Sequence, residues 1–213
     1  MARTIGSHGA KTTEAIRKAG LKLIYQHGYE AMSLRQLAAE VGIQVGSLYN
    51  HISTKQDLLF DLIKTHMDAL LLALDRALSI TGDPVTLLRA FVSFHVTYHI
   101  VRKREVFIAY SELRSLEPNH YEEIVAMRRR YERRLTEILE EGCRLGMFEV
   151  QDCRVAAYGI LSMLTGVCTW FRPTGRLSRD KVIDIYSRQV ITGLAPRSRE
   201  TGRDLGEAPE SRS

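Results

Sequence analysis

The sequence predicts an all-α chain of about nine helices. Three observations carry that prediction. Apolar residues recur at spacings of three and four along almost the whole chain. No segment alternates apolar and polar residues as a half-buried strand would. The prolines (Pro84, Pro118, Pro173, Pro196 and Pro209) all fit element starts or loops.

In chain order, the first helix is expected over about 11–27. Ala15, Ile16, Ala19, Leu23 and Ile24 share a face, and Gly28 supplies the stop. Ser33 caps a short helix over 34–41, which Gly42 breaks. A second short helix follows over about 45–51. Ser53 to Gln56 fits a capping box, with Thr54 and Asp57 as an overlapping alternative. It opens a long helix to about Ile80, with Leu58, Leu59, Leu62, Ile63, Leu70, Leu71 and Leu74 in one stripe. Asp83-Pro84 starts a helix to Val101. The basic run Arg102-Lys103-Arg104 separates it from an apolar helix over 106–116. Pro118 starts a helix to Leu145, stopped by Gly146. Asp152 caps one to Phe171, and Ser178 caps the last, to Leu194. The polar, charge-balanced stretch 196–213 has one large apolar residue, Leu205, and reads as disordered.

Composition narrows the function classes. The chain has 213 residues, 45% hydrophobic and 26% charged, a soluble globular mix. No apolar run approaches the ~20 residues of a membrane helix, and Met1 to Lys11 has no apolar core of a signal peptide. Cys143, Cys153 and Cys168 are an odd set without metal spacing. They suit a reducing cytoplasm. No Gly-rich phosphate loop, Gly-x-Ser-x-Gly, His-Glu-x-x-His or paired-carboxylate context is present, so no enzyme activity is expected.

The net charge of +5 is unevenly placed. Residues 1–55 hold seven basic groups against three acids, whereas 56–195 hold 19 against 18 and 196–213 four against four. A basic excess in the first quarter fits a polyanionic partner. The same quarter holds two short helices joined by a tight turn, a helix-turn-helix pattern. Leu37, Val41, Ile43 and Leu48 should face the core, and Ala38 should sit where the two helices approach. Gln44, Val45, Ser47, Tyr49 and Asn50 should face outward, where they reach base edges and phosphates in a major groove. On pattern alone, an ordinary αα-hairpin corner with Gly42 as its cap is the alternative.

The stretch Ser33 to Leu59, SLRQLAAEVGIQVGSLYNHISTKQDLL, closely resembles the DNA-binding signature of TetR-family transcriptional regulators. Tyr25-Gln26-His27-Gly28-Tyr29 and Met32-Ser33 upstream also match. The strong resemblance covers about 11–60. It implies a DNA-binding domain over 1–55 and a helical effector-binding and dimerisation domain over 56–195. It implies that Lys55 and Tyr49 meet phosphates and that Ser33 does so from a helix N-terminus. Gln44, Val45, Ser47 and Asn50 are then candidates for base contact, and His51 a packed structural residue. It further implies a homodimer through the last two helices, matched to a palindromic operator in double-stranded DNA.

The middle helices should enclose an effector pocket. Its candidate residues are Phe91, His95, Tyr98, Arg102, Phe107, Tyr110, Met127, Tyr131, Met163 and Trp170, although such a stripe also reads as plain core. His95 and His99 stand at i, i+4, a metal-ligand spacing, but no acid or cysteine lies nearby in sequence. No metal or cofactor is assigned, and they supply polar atoms to an apolar pocket instead. Trp170 to Ser178 resembles the loop before the final helix in members that regulate fatty-acid and steroid catabolism through acyl-CoA. That resemblance implies an acyl-CoA effector, its phosphates met by basic groups among Arg102, Lys103, Arg104, Arg128, Arg129, Arg130 or Arg176. The rival is a regulator of a drug-efflux gene with a hydrophobic or cationic effector, whose pocket should hold acids. Glu105, Glu112 and Glu117 are the acids at hand.

Overall fold

A computed structural model describes residues 6–196, with side chains from residue 9. The expected disorder of the tail concerns residues that, from 197 on, lie outside the described ones. Among the described residues there are ten α-helical segments and no strand. They are α1 (Gly6–His27), α2 (Leu34–Val41), α3 (Val45–Leu48), α4 (Lys55–Ala77), α5 (Pro84–Val101), α6 (Lys103–Ser111), α7 (Pro118–Arg144), α8 (Cys153–Thr165), α9 (Val167–Trp170) and α10 (Arg179–Leu194). A 3-10 turn, Leu113–Ser115, joins α6 to α7.

Local chemistry places most boundaries. Ser33 accepts from the Gln36 amide while the Gln36 side chain returns to the Ser33 amide, a complete capping box. The box at α4 is the second of the two expected: Thr54 is the cap, and Asp57 is its partner. Asp83, Asp152 and Ser178 cap α5, α8 and α10 with their side chains.

Five boundaries depart from the sequence reading, the first being the start of α1 at Gly6, five residues before the expected one. The helical part of α3 ends at Leu48, and the chain reaches Ile52 as a hydrogen-bonded turn. Helix α4 stops at Ala77, three residues early. The basic run at 102–104 is not a linker. Arg102 alone breaks the helix, at φ −103 and ψ 33, and α6 starts at Lys103 and ends at Ser111. The helix expected from Asp152 to Phe171 is interrupted at Gly166, where α9 begins.

One hydrophobic core runs from Ile16 to Leu194 through both parts of the chain. Its continuity rests on α4, which packs on α1 at one end and on α5, α6 and α7 along its length. Ion pairs fasten the first part. Arg17 makes two hydrogen bonds to Asp61, at 2.6 and 2.7 Å, tying α1 to α4. Lys22 meets Glu40 at 2.6 Å, tying α1 to α2.

Candidate nucleic-acid interface and effector cavity

The helix-turn-helix is built around one buried anchor per short element. In α2, Leu37 and Ala38 are buried. In α3 only Leu48 is, and it is completely enclosed. Gly42 between them has φ 78, a left-handed conformation that costs a side chain about 1 kcal/mol or more and glycine little. Its amide and that of Ile43 close the turn onto the carbonyls of Ala39 and Ala38. Once Leu48 is fixed inward, the helical period turns the rest of α3 outward. Gln44, Val45, Ser47, Tyr49 and Asn50 are all exposed, Tyr49 at 55%. Gln44 is the cap of α3 but makes no side-chain capping bond.

Ser33 is exposed at the N-terminus of α2, its hydroxyl engaged in the capping box. Lys55 is half-buried. Its Nζ lies 4.3 Å above the Tyr29 ring and donates to the Glu30 carbonyl at 3.1 Å. His51 is half-buried, with Nδ1 3.2 Å from the Thr13 hydroxyl, so it joins the turn after α3 to α1. The basic excess of this quarter is therefore partly structural: Arg17, Lys18 and Lys22 are paired with acids. Lys11 and Arg35 remain exposed. Arg35 stands in the first turn of α2, two residues after Ser33.

A cavity of about 990 Å³ lies among α4, α5, α6, α7, α8 and α9. Of the expected residues, Phe107, Tyr110 and Tyr131 line it. His95 stands directly behind, its ring nitrogens 3.0 Å from the Tyr131 hydroxyl and 3.1 Å from the Thr165 hydroxyl. Phe91 and Met127 are buried in the core. Tyr98 is half-buried with its ring 5.9 Å from His66, and Met163 packs on the core from outside the cavity. Arg102 is exposed, near Glu105 and over the Tyr98 ring. Trp170 is 47% exposed and meets Phe171 and Tyr186 edge-on, away from the cavity wall.

The sequence did not single out His66 and Met67 of α4, which form one wall with Leu70, a residue expected only in the apolar stripe. A signal existed. His66 is a polar residue on the apolar stripe that runs through Leu59, Ile63 and Leu70, and such a residue is costly to bury without a purpose. His99 also lines the cavity. Burial pushes His66 down to about 3 and His99 to about 4, and His95 well below the usual histidine range, so all three are neutral at pH 7. Charge enters the lining through Lys103, Arg128 and Glu132. Arg128 spans the α6–α7 contact, donating to the Ala109 carbonyl at 2.9 Å and lying 4.4 Å over the Tyr110 ring.

Cavity and reading head are mechanically close. Phe107, on the cavity wall, packs edge-on against Tyr25 of α1, with ring centroids 5.2 Å apart. Arg104 also lies over Tyr25, 5.8 Å from its centroid. At the start of α4, Gln56 donates to the Ser115 carbonyl at 2.6 Å and accepts from the Glu117 amide at 3.3 Å, joining α4 to the α6–α7 junction. No described helix is long and apolar enough to cross a membrane.

Comparison with known proteins agrees with both parts. Residues 16–62 match the family described as bacterial regulatory proteins, tetR family, and residues 81–194 match the tetracyclin repressor-like C-terminal domain. The HTH-type transcriptional repressor KstR2 of Mycolicibacterium smegmatis is 25% identical over 91% of this chain and 96% of its own length. The TetR-family regulator PfmR of Thermus thermophilus superposes with a TM-score of 0.76 at 30% identity, over 85% of this chain and 99% of its own. AibR, solved in complex with isovaleryl coenzyme A and operator DNA, gives 0.77 at 29% identity, over 84% and 97%. An exposed recognition helix, a second helical part with its own cavity, and family matches over each part together identify the chain as a member of the TetR family of transcriptional regulators.

Proposed function

We propose that this chain is a dimeric repressor that leaves a palindromic operator when an acyl-CoA thioester fills the helical cavity. The observation that carries the reading is the cavity itself: apolar along much of its wall, with Lys103 and Arg128 among its lining and one wall residue, Phe107, resting on α1. An acyl chain suits the apolar surface. The phosphates of coenzyme A suit a guanidinium and an ammonium. AibR, which is similar over most of both chains, was solved with such a thioester and with operator DNA.

The reading assigns Tyr49, Lys55 and Ser33 to phosphates and Gln44, Val45, Ser47 and Asn50 to base edges. It pairs α8 and α10 with their copies in a second subunit, which presents two recognition helices to two half-sites. Exposed Val155, at 64%, and Tyr158, at 42%, supply apolar surface for that pairing. Ligand binding releases DNA only if the thioester favours the non-DNA arrangement. Phe107 against Tyr25, and Gln56 against the α6–α7 junction, are the contacts through which a shift of α6 reaches α1 and α4. A cationic drug fits less well, because it would meet Lys103 and Arg128 against Glu132 in the same lining.

The test begins with an operator selected from random duplex DNA. A mobility-shift titration with short, medium and long acyl-CoA thioesters should then release the DNA. Undiminished operator binding at saturating thioester, with thioester binding confirmed by calorimetry, overturns the effector reading and leaves the DNA reading intact.

A further inference from the structure

The cavity is not uniformly apolar. Where α4 and α5 form its wall, buried imidazoles gather, and their hydrogen bonding is incomplete. His66 and His99 are 6% and 3% exposed, and both line the cavity. The Tyr98 ring lies 5.9 Å from His66 and 6.3 Å from His99, so the three form one group.

Their hydrogen-bonding inventory is informative. His95, stacked on His99 at 3.7 Å, has partners at both nitrogens, Tyr131 and Thr165. His99 Nδ1 lies 2.8 Å from the His95 carbonyl, which can only accept. In a neutral ring that leaves His99 Nε2 as a lone-pair acceptor. His66 Nδ1 is buried with no partner, and so is the Tyr98 hydroxyl. Buried polar groups are almost always satisfied, so an orphan needs an explanation, and of these two only His66 belongs to the cavity lining. Burial keeps both imidazoles uncharged at neutral pH, so they suit a neutral group rather than an anion.

We propose that His66 and His99 form a seat for an uncharged hydroxyl on the buried part of the effector, so that the protein prefers a hydroxylated acyl group to a saturated hydrocarbon one. This rests on the thioester reading for the ligand's other end. A hydroxyl fits the pair better than a ketone, because it donates to the lone pair of His99 and also accepts from an N–H of His66. A saturated chain would leave both groups unpaired inside an occupied, dry cavity.

The test compares dodecanoyl-CoA with its 3-hydroxy and 12-hydroxy forms by calorimetry. At least one hydroxylated form should bind about tenfold tighter or more, as expected where a site is built for a hydroxyl. That preference should collapse in His66→Phe and His99→Phe, with folding checked by circular dichroism. Equal affinity for all three thioesters overturns the proposal, as does a preference that survives both substitutions. A second measurement is free of coenzyme A. In protein labelled with nitrogen-15 at histidine, 1-octanol should shift the His66 and His99 ring resonances and octane should not. If no thioester binds but octanol shifts the rings, the thioester reading fails and the seat stands. If octanol and octane act alike, or neither shifts the rings, the seat is overturned.

Discussion

Leu48 and Tyr49 are neighbours that face opposite ways. Leu48 is fully enclosed and is the only anchor that α3 sends into the core. Leu48→Ala should cost about 2–5 kcal/mol of stability and lower the melting temperature. Tyr49, exposed at 55%, should lose operator affinity on change to alanine while stability moves by about 0.5 kcal/mol or less. Paired urea melts and mobility shifts separate the two. Lys55→Ala should fall between them, because its ammonium sits over Tyr29 and holds the Glu30 carbonyl. The buried histidines give a pH signature. His66 and His99 resist protonation in the folded chain down to about 3 and about 4, whereas in the unfolded chain each titrates near the ordinary histidine value of 6.5. The unfolded state therefore binds more protons below that value. Stability from these groups should be complete above about pH 7 and decline as pH falls from 6.5 toward 4. Thermal melts across that range should show a shallower decline in His66→Phe.

At the scale of elements, the informative contacts are those that cross between the two parts. Gln56→Ala removes two hydrogen bonds between α4 and the α6–α7 junction and should cost about 1–2 kcal/mol. Phe107→Ala removes the ring that rests on Tyr25. Both variants should still bind operator, and because Phe107 also lines the cavity its variant is compared at saturating effector. The ratio of operator affinities with and without effector should shrink toward one, as a mobility-shift titration reads. An unchanged ratio in both would show that the signal travels by another route. The α7–α8 corner has a steric constraint of its own. A side chain at Gly142 would run into the Phe148 ring, which is buried against α7. Gly142→Ala should destabilise by about 1–3 kcal/mol in a melt.

For the whole molecule the deciding quantity is the oligomeric state. If α8 and α10 pair across a two-fold axis, Val155→Arg puts a charge on exposed apolar surface of α8 in each subunit. It should shift sedimentation velocity from dimer to monomer and abolish binding to a full palindrome. Val155 is 64% exposed in the single chain, so an unaltered melt of the monomer would place the loss in assembly and not in folding.

What the sequence determined by itself was local. The capping box from Ser33 to Gln36, the positive φ of Gly42 and the inward face of Leu37, Ala38 and Leu48 are set within a few residues of one another. The outward face of Val45 and Ser47 follows from them by helical period, and the hydrogen-bonded turn after Leu48 leaves Tyr49 and Asn50 exposed. The cavity does not. Whether an aromatic on a helix fills core or lines a void depends on how far apart the helices cross, and no single helix encodes that distance. Phe91 and Met127 therefore went to packing, while His66 and His99, polar residues on buried faces, came to the cavity wall. The break at Gly166 and the single-residue hinge at Arg102 were also tertiary decisions. Neither is marked by a proline, and packing outweighs the small preference of a helical run to continue.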